Sequence, residues 1–195
     1  MTPAAWRSEI LTWNSTRPKI EMDLTMDLTK SDELLAYLKA NGIAATTYDH
    51  APVHTVEESR ELRGDIPGVH TKNLFLRDGK KNFFLFVTDE GASINLKALA
   101  KLIGAKAGLS FGSPEALLEH LGITPGSVSV LAAINDVNHT VTIVLDEKLF
   151  QSSPINCHPL TNSRTTSLTK HDLETFLDRL GRKPLVVSLA TDTPG

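Results

Sequence analysis

The sequence predicts an α+β fold around a mixed, curved sheet, with helices inserted singly among the strands. Three observations carry that expectation. Apolar runs of strand length, such as Phe83–Val87, are interspersed with helix-period stretches; hairpin signals join most of the strands; and neither an internal repeat nor a regular β-α-β alternation is present. The 195 residues suit one domain, and 41% hydrophobic with 22% charged residues excludes disordered, collagen-like and coiled-coil classes.

Residues 1–28 show neither period and mix Trp6 and Trp13 with charges, so they read as an extension before a single domain at 29–190. Their basic start leads into no apolar stretch, and Glu9, Glu21 and Asp23 do not suit a transit peptide. Ser31 can cap a helix carrying Leu34, Leu35 and Leu38 that stops at Gly42. A strand follows at 44–48. Thr55 and Glu58 are spaced as a capping box for a short helix reaching Gly64. Lys72–Arg77 and Phe83–Val87 then form a hairpin about Asp78-Gly79, where the glycine is expected to supply a positive φ. Leu96, Leu99, Ala100, Leu102 and Ile103 keep helical period up to Gly104, and Ser113-Pro114-Glu115 opens a helix ending at Gly122. After the Pro125-Gly126 turn, Val128–Ile134, Thr140–Leu145 and Ile155–His158 read as strands. Thr169 with Asp172 caps a last helix ending at Gly181, and 185–189 is a final strand.

A net charge of −3 provides no broad electrostatic footprint, so no DNA partner is expected and any RNA contact is local. No apolar run approaches the roughly 18 residues of a membrane span, so no membrane partner is expected either. Cys157 is the one cysteine and requires no oxidising compartment, which points to the cytoplasm. His50 and His54 enclose Pro52, which prevents the helical turn that a zinc-binding i, i+4 pair needs. Cys157 and His158 are strand neighbours facing opposite ways, a poor nucleophile and base. G-x-S-x-G, P-loop and G-x-G-x-x-G motifs are absent. What remains is open at this level. Lys72 heads a strand after a Gly/Pro loop, facing either a cleft or solvent. The Pro125-Gly126-Ser127 turn either offers N–H groups to an oxyanion or is only a turn. His158, Asn156, Thr161 and Asn162 form a polar cluster equally suited to a buried network. Lys97, Lys101 and Lys106 make a small basic stripe or a solvated face.

Several segments together resemble the YbaK/ProX family, the prolyl-tRNA synthetase-associated editing domain. They are His54–Glu58, Gly64–Gly68, His70–Asp78, Leu109-Ser110-Phe111, Leu121–Val128, Ile134-Asn135-Asp136 and His158–Asn162, collinear over about 29–188. Within the family the chain is most similar to the free-standing Ala-tRNA(Pro) deacylases. The resemblance implies a mixed sheet or barrel with surrounding helices, and hydrolysis of the ester between alanine and tRNA(Pro). Such editing answers the weak discrimination that one small apolar group allows a synthetase pocket. The partners implied are mischarged tRNA(Pro), with prolyl-tRNA synthetase or an elongation factor beside it; no metal or cofactor is implied.

Position by position, the resemblance assigns catalysis to Lys72, Gly126 and His158. Lys72 matches the functional lysine and would hold the tRNA end or the carbonyl region; Gly126 begins a loop whose backbone would stabilise the oxyanion; His158 matches a histidine of the pocket wall. Substrate-binding falls to Asn73, Ser127, Ser129 and Val130, and tRNA-binding to Lys72 and Lys106. Two departures stand out. Val130 replaces the proline usual in that loop, and Gly108 replaces an arginine usual before Leu-Ser-Phe. Lys106 is its substitute but lacks the planar fork of a guanidinium. The alternatives are a deacylase for Cys-tRNA(Pro) or another small aminoacyl-tRNA, and a non-catalytic tRNA- or synthetase-binding module.

Overall fold

The computed structural model describes residues 31–51 and 66–189. The expected extension, the 55–64 helix and His54 therefore lie outside the described residues. In chain order the strands are β1 Ala45–Asp49, β2 Val69–Asp78, β3 Phe83–Asp89, β4 Leu109–Phe111, β5 Val141–Asp146, β6 Ile155–Cys157, β7 Arg164–Leu168 and β8 Leu185–Val187. The helices are α1 Ser31–Ala40, α2 Leu96–Leu102, α3 Pro114–Leu121 and α4 Lys170–Arg179. One open, mixed sheet runs β1-β7-β6-β2-β3-β5-β8, with β4 added to β2. The β2/β6, β3/β5 and β5/β8 pairs are parallel and the others antiparallel.

Helix ends follow the side chains that satisfy their open N–H groups. Asn95 Oδ1 accepts from the N–H groups of Lys97 and Ala98, Ser113 Oγ from Ala116, and Thr169 Oγ1 from Asp172. β3 is apolar from Phe83 to Val87 because both of its faces are covered. On β3, Leu85 and Val87 enter the main core with Phe75, Ile143 and Leu145, while Phe84 and Phe86 turn to a second cluster with Leu76, Val144 and Leu99 of α2.

Three expectations change. Val130–Ile134 is a 3-10 helix rather than a strand, because Ser129 Oγ accepts from the Leu131 N–H and caps it; a fully buried apolar run has no period that distinguishes the two. In the hairpin the positive φ belongs to Lys81, at 64°, and not to Gly79. Asp78 sets that turn by accepting from the N–H groups of Lys80 and Asn82. The polar strand β7 carries no apolar alternation in Arg164-Thr165-Thr166-Ser167 and went unread, although it links β1 to β6.

Candidate functional site

β2 has one fully paired edge and one interrupted edge. Along the first it pairs with β3 from Thr71 to Arg77. Along the second, β6 meets only Val69 and His70, and β4 meets only Leu76, Arg77 and Asp78. Among the described residues no strand pairs with positions 71–75 on that edge. Half-buried Lys72 and Asn73 stand at this gap, pointing to opposite sides by the alternation of a strand.

On one side, half-buried Lys72 donates from Nζ to the Ala92 carbonyl at 3.0 Å, which ties it to the segment after β3. On the other, Asn73 Nδ2 donates to Thr71 Oγ1 at 3.1 Å, and Thr71 in turn donates to the Asn156 carbonyl of β6 at 2.9 Å. The Asn73 Oδ1 atom is buried and meets no donor among the described residues. Leaving such an acceptor unpaired costs about 1–3 kcal/mol, the kind of cost found where a ligand completes the bonding.

β6 leads from the lower end of the gap to the predicted polar cluster. Buried Asn156 is its hub: Nδ2 donates to the Pro67 carbonyl at 3.0 Å, and Oδ1 accepts from Ser167 Oγ. Cys157 turns into the main core, where burial pushes its thiol up to about 12, with only a hydrogen bond from Thr71 opposing. Such a thiol carries almost no thiolate, in keeping with the sequence reading that set it aside as a nucleophile. His158 leaves the strand on the other side, and its Nδ1 sits 3.0 Å from the Arg164 carbonyl. A carbonyl only accepts, so Nδ1 carries the proton in that bond. Arg164 is itself clamped to Asp49 at 2.7 Å and to Asp32 of α1. These carboxylates raise its pKa further, the Asp32 hydrogen bond contributing most.

The Gly126 turn approaches the same loop. Gly126 has φ +93°, and a Cβ built on it would lie 3.8 Å from Asn162 Nδ2. The Ser127 N–H is committed to the Thr124 carbonyl at 3.2 Å, so the turn does not offer two successive donors. The Gly126 N–H makes no hydrogen bond among the described residues. Ser127 is largely enclosed, Ser129 is spent on capping the 3-10 helix, and Val130 is wholly buried in the main core. Lys106 is not in this neighbourhood. It lies at the opposite end of β2, where its N–H donates to Asp78 Oδ2 at 3.0 Å. Gly108 beside it has φ +82°, a backbone that disfavours the arginine usual in the family. Thr71, Ser167 and Arg164 were not singled out from the sequence; their partners are 85, 11 and 115 residues away, and no local spacing encodes such bonds. No group of three His, Cys, Asp or Glu side chains suited to a metal ion occurs among the described residues.

The model of the aminoacyl-tRNA editing domain family matches residues 50–176. A prolyl-tRNA synthetase associated domain-containing protein 1 of Danio rerio is 38% identical over 165 residues, covering 84% of this chain and 88% of that protein. The prolyl-tRNA editing protein ProX of Acetoanaerobium sticklandii is 37% identical over 159 residues, covering 80% and 95%. Among solved structures, a candidate trans-editing enzyme for prolyl tRNA synthetase superposes with a TM-score of 0.62, at 21% identity, over 84% of this chain and 96% of that one, which supports the fold.

Proposed function

Because the chain belongs to the aminoacyl-tRNA editing domain family, of the ProX and prolyl-tRNA synthetase-associated type, we propose that it is a trans-editing deacylase cleaving the ester of mischarged Ala-tRNA(Pro). The editing unit spans 29–190. The observation that carries the reading is the interrupted edge of β2: a gap bearing a lysine and an amide, bordered by the strand that leads to His158 and to the loop beside Gly126. The Asn156 carbonyl of that strand accepts from Thr71, and Asn162, beyond His158, lies near Gly126.

In this reading the 3′ end of tRNA(Pro) enters the gap. Lys72 exchanges the Ala92 carbonyl for the anionic tRNA terminus or the ester carbonyl, the orphan Oδ1 of Asn73 accepts from the substrate's α-ammonium, and Val130, wholly buried, supports the 126–129 loop from the core rather than touching the substrate. Water attacks the ester carbon with help from the ribose 2′-OH; the C–O bond to the ribose breaks, and alanine leaves as the free acid. The Gly126 N–H points at the developing oxyanion, where a placed donor is worth about 3–4 kcal/mol of barrier. His158, fixed through Nδ1, positions the terminal nucleotide. Prolyl-tRNA synthetase and the cytoplasm are the setting that such a substrate requires.

The test is deacylation of Ala-, Cys- and Pro-charged tRNA(Pro) by the wild type and by Lys72→Ala, with EDTA present throughout. The expected result is rapid loss of alanine alone, reduced at least 100-fold in the variant. Loss of cysteine in preference would move the substrate, and no loss of any ester would leave a tRNA- or synthetase-binding module.

A further inference from the structure

Phe111, which ends β4, is 62% exposed, whereas every other phenylalanine of the chain is buried or half-buried. A single exposed apolar side chain needs no explanation by itself, but the placement of this one does. β4 is pinned to β2, with Phe111 opposite Leu76 and Leu109 opposite Asp78, and Leu109 packs on the second cluster. Directly after the ring, the Gly112 N–H donates to the Phe75 carbonyl at 2.9 Å. A Cβ on Gly112 would lie 2.4 Å from the Phe75 ring, so the chain leaves β4 along a path that only glycine allows. The backbone is therefore fixed on both sides of Phe111 while the ring faces solvent. Residues opposite each other in a sheet share a face. Phe111 thus lies on the face of Leu76 and, by alternation along β2, on that of Leu74 and Lys72. His70 pairs with Asn156, which puts Asn156 on this face too, and His158, on the side away from core-facing Cys157, keeps to it. β4 bounds one end of the gap along β2 and β6 the other, so the exposed ring, Lys72 and His158 stand around it on one face.

We propose that Phe111 is a stacking platform for an unpaired base of the substrate's single-stranded 3′ end, a subsite that holds the strand while the ester lies at Lys72. The inference rests on the reading of the chain as an aminoacyl-tRNA hydrolase. Four residues of strand carry β2 from Lys72 to Leu76, about 13 Å at the rise of an extended chain, which a short run of unpaired nucleotides spans. Every base has a π-face, so a phenyl ring accepts any of them, but only where that face is not already covered inside a helix. The subsite therefore reads single-strandedness rather than sequence. Stacking also needs no excess of cations, in keeping with a chain of net charge −3. Because the ring touches a part of the substrate that does not react, it contributes equally to the ground state and the transition state, and its loss is felt in KM.

The experiment compares the full-length wild type with Phe111→Ala, Phe111→Leu and Phe111→Trp, and with Val137→Ala as a control at a similarly exposed apolar position. Melting curves check that each variant folds. Phe111→Ala is expected to raise KM for Ala-tRNA(Pro) about tenfold or more with kcat nearly unchanged, Phe111→Leu to do much the same, and Phe111→Trp and the control to stay near wild type. The second readout needs no hydrolysis. Fluorescence of Phe111→Trp, taken as the difference from the wild type, is followed as uncharged tRNA(Pro) is added to saturation, either intact or trimmed of its unpaired 3′ nucleotides. Quenching by the intact RNA alone supports the stacking subsite. Equal quenching by both RNAs, or a Phe111→Leu enzyme with the KM of the wild type, would overturn it. If the wild type cleaves alanine and Phe111→Ala does so with unchanged KM, the subsite fails and the hydrolase reading stands. If the wild type cleaves no ester while quenching still distinguishes the two RNAs, the hydrolase reading fails and the stacking subsite stands.

Discussion

Thr71 donates to the Asn156 carbonyl and also stands 3.8 Å from Cys157 Sγ, so one hydroxyl joins the floor of the candidate site to the main core. The thiol it touches is chemically quiet. Iodoacetamide at pH 8 is expected to leave Cys157 unmodified in the native protein and to label it fully in denaturant; native labelling on the denatured timescale, read by mass spectrometry, would contradict its burial. Gly126 is the opposite case, a residue with room around it but a backbone that other residues resist. Gly126→Ala is expected to cost only about 1–2 kcal/mol of stability, from the positive φ, while lowering kcat far more as the turn shifts. A loss of stability with kcat intact would remove Gly126 from the oxyanion role. At this scale little of the site could be read from spacing. Lys72, the Gly126 turn and His158 stood out as candidates of open role, their roles came from the resemblance, and the bonds around them arise from strand pairings that no local pattern records.

Among the elements, the β2–β3 hairpin shows how a correct location can rest on a different cause. Asp78-Gly79 marks the turn, yet the glycine is needed for close approach: a Cβ there would lie 2.7 Å from Ala107 Cβ. Gly79→Ala is therefore expected to separate the tip from the 104–108 loop, by about 1–3 kcal/mol in urea unfolding. The Asp78 carboxyl is held at about 2 against an ordinary 3.8, mainly by the Asn82 side chain and further by the N–H groups of Lys106, Asn82 and Lys80. A group depressed in the folded state stabilises above its unfolded pKa and loses that effect as pH falls through the folded one. The Asp78 contribution is thus complete above about pH 4 and fades toward pH 2, and Asp78→Asn should flatten that limb of the stability profile. Elements with caps were legible, as Ser113-Pro114 and Thr169 illustrate, because a cap is written within four residues. β7 and the 3-10 helix were not, since a polar strand and an evenly apolar run carry no period.

For the molecule as a whole, the tie that holds the C-terminal part to the sheet is Arg182. Buried beyond α4, it bonds Asp136 Oδ2 at 2.6 Å and the Asp136 carbonyl at 2.7 Å, joining the end of the 3-10 helix to the entry of β5. Burial alone would raise the Asp136 carboxyl, but Arg182 and the N–H groups of Thr140 and Val141 bring it below the usual value. Arg182→Ala leaves that carboxylate buried and unpaired, and about 3–5 kcal/mol should be lost in denaturant unfolding. Arg182→Lys should recover only part, because one ammonium cannot span acceptors arranged for a fork.

The pairing of β1 with β7, which sets Ala45 opposite Leu168, also dictates when the protein becomes competent during synthesis. Until the ribosome has released residue 168, β1 has no partner strand and β6 lacks one of its two neighbours. A chain halted before that point carries β1 and β6 without the strand that joins them, so this end of the sheet closes only when nearly the whole domain has been made.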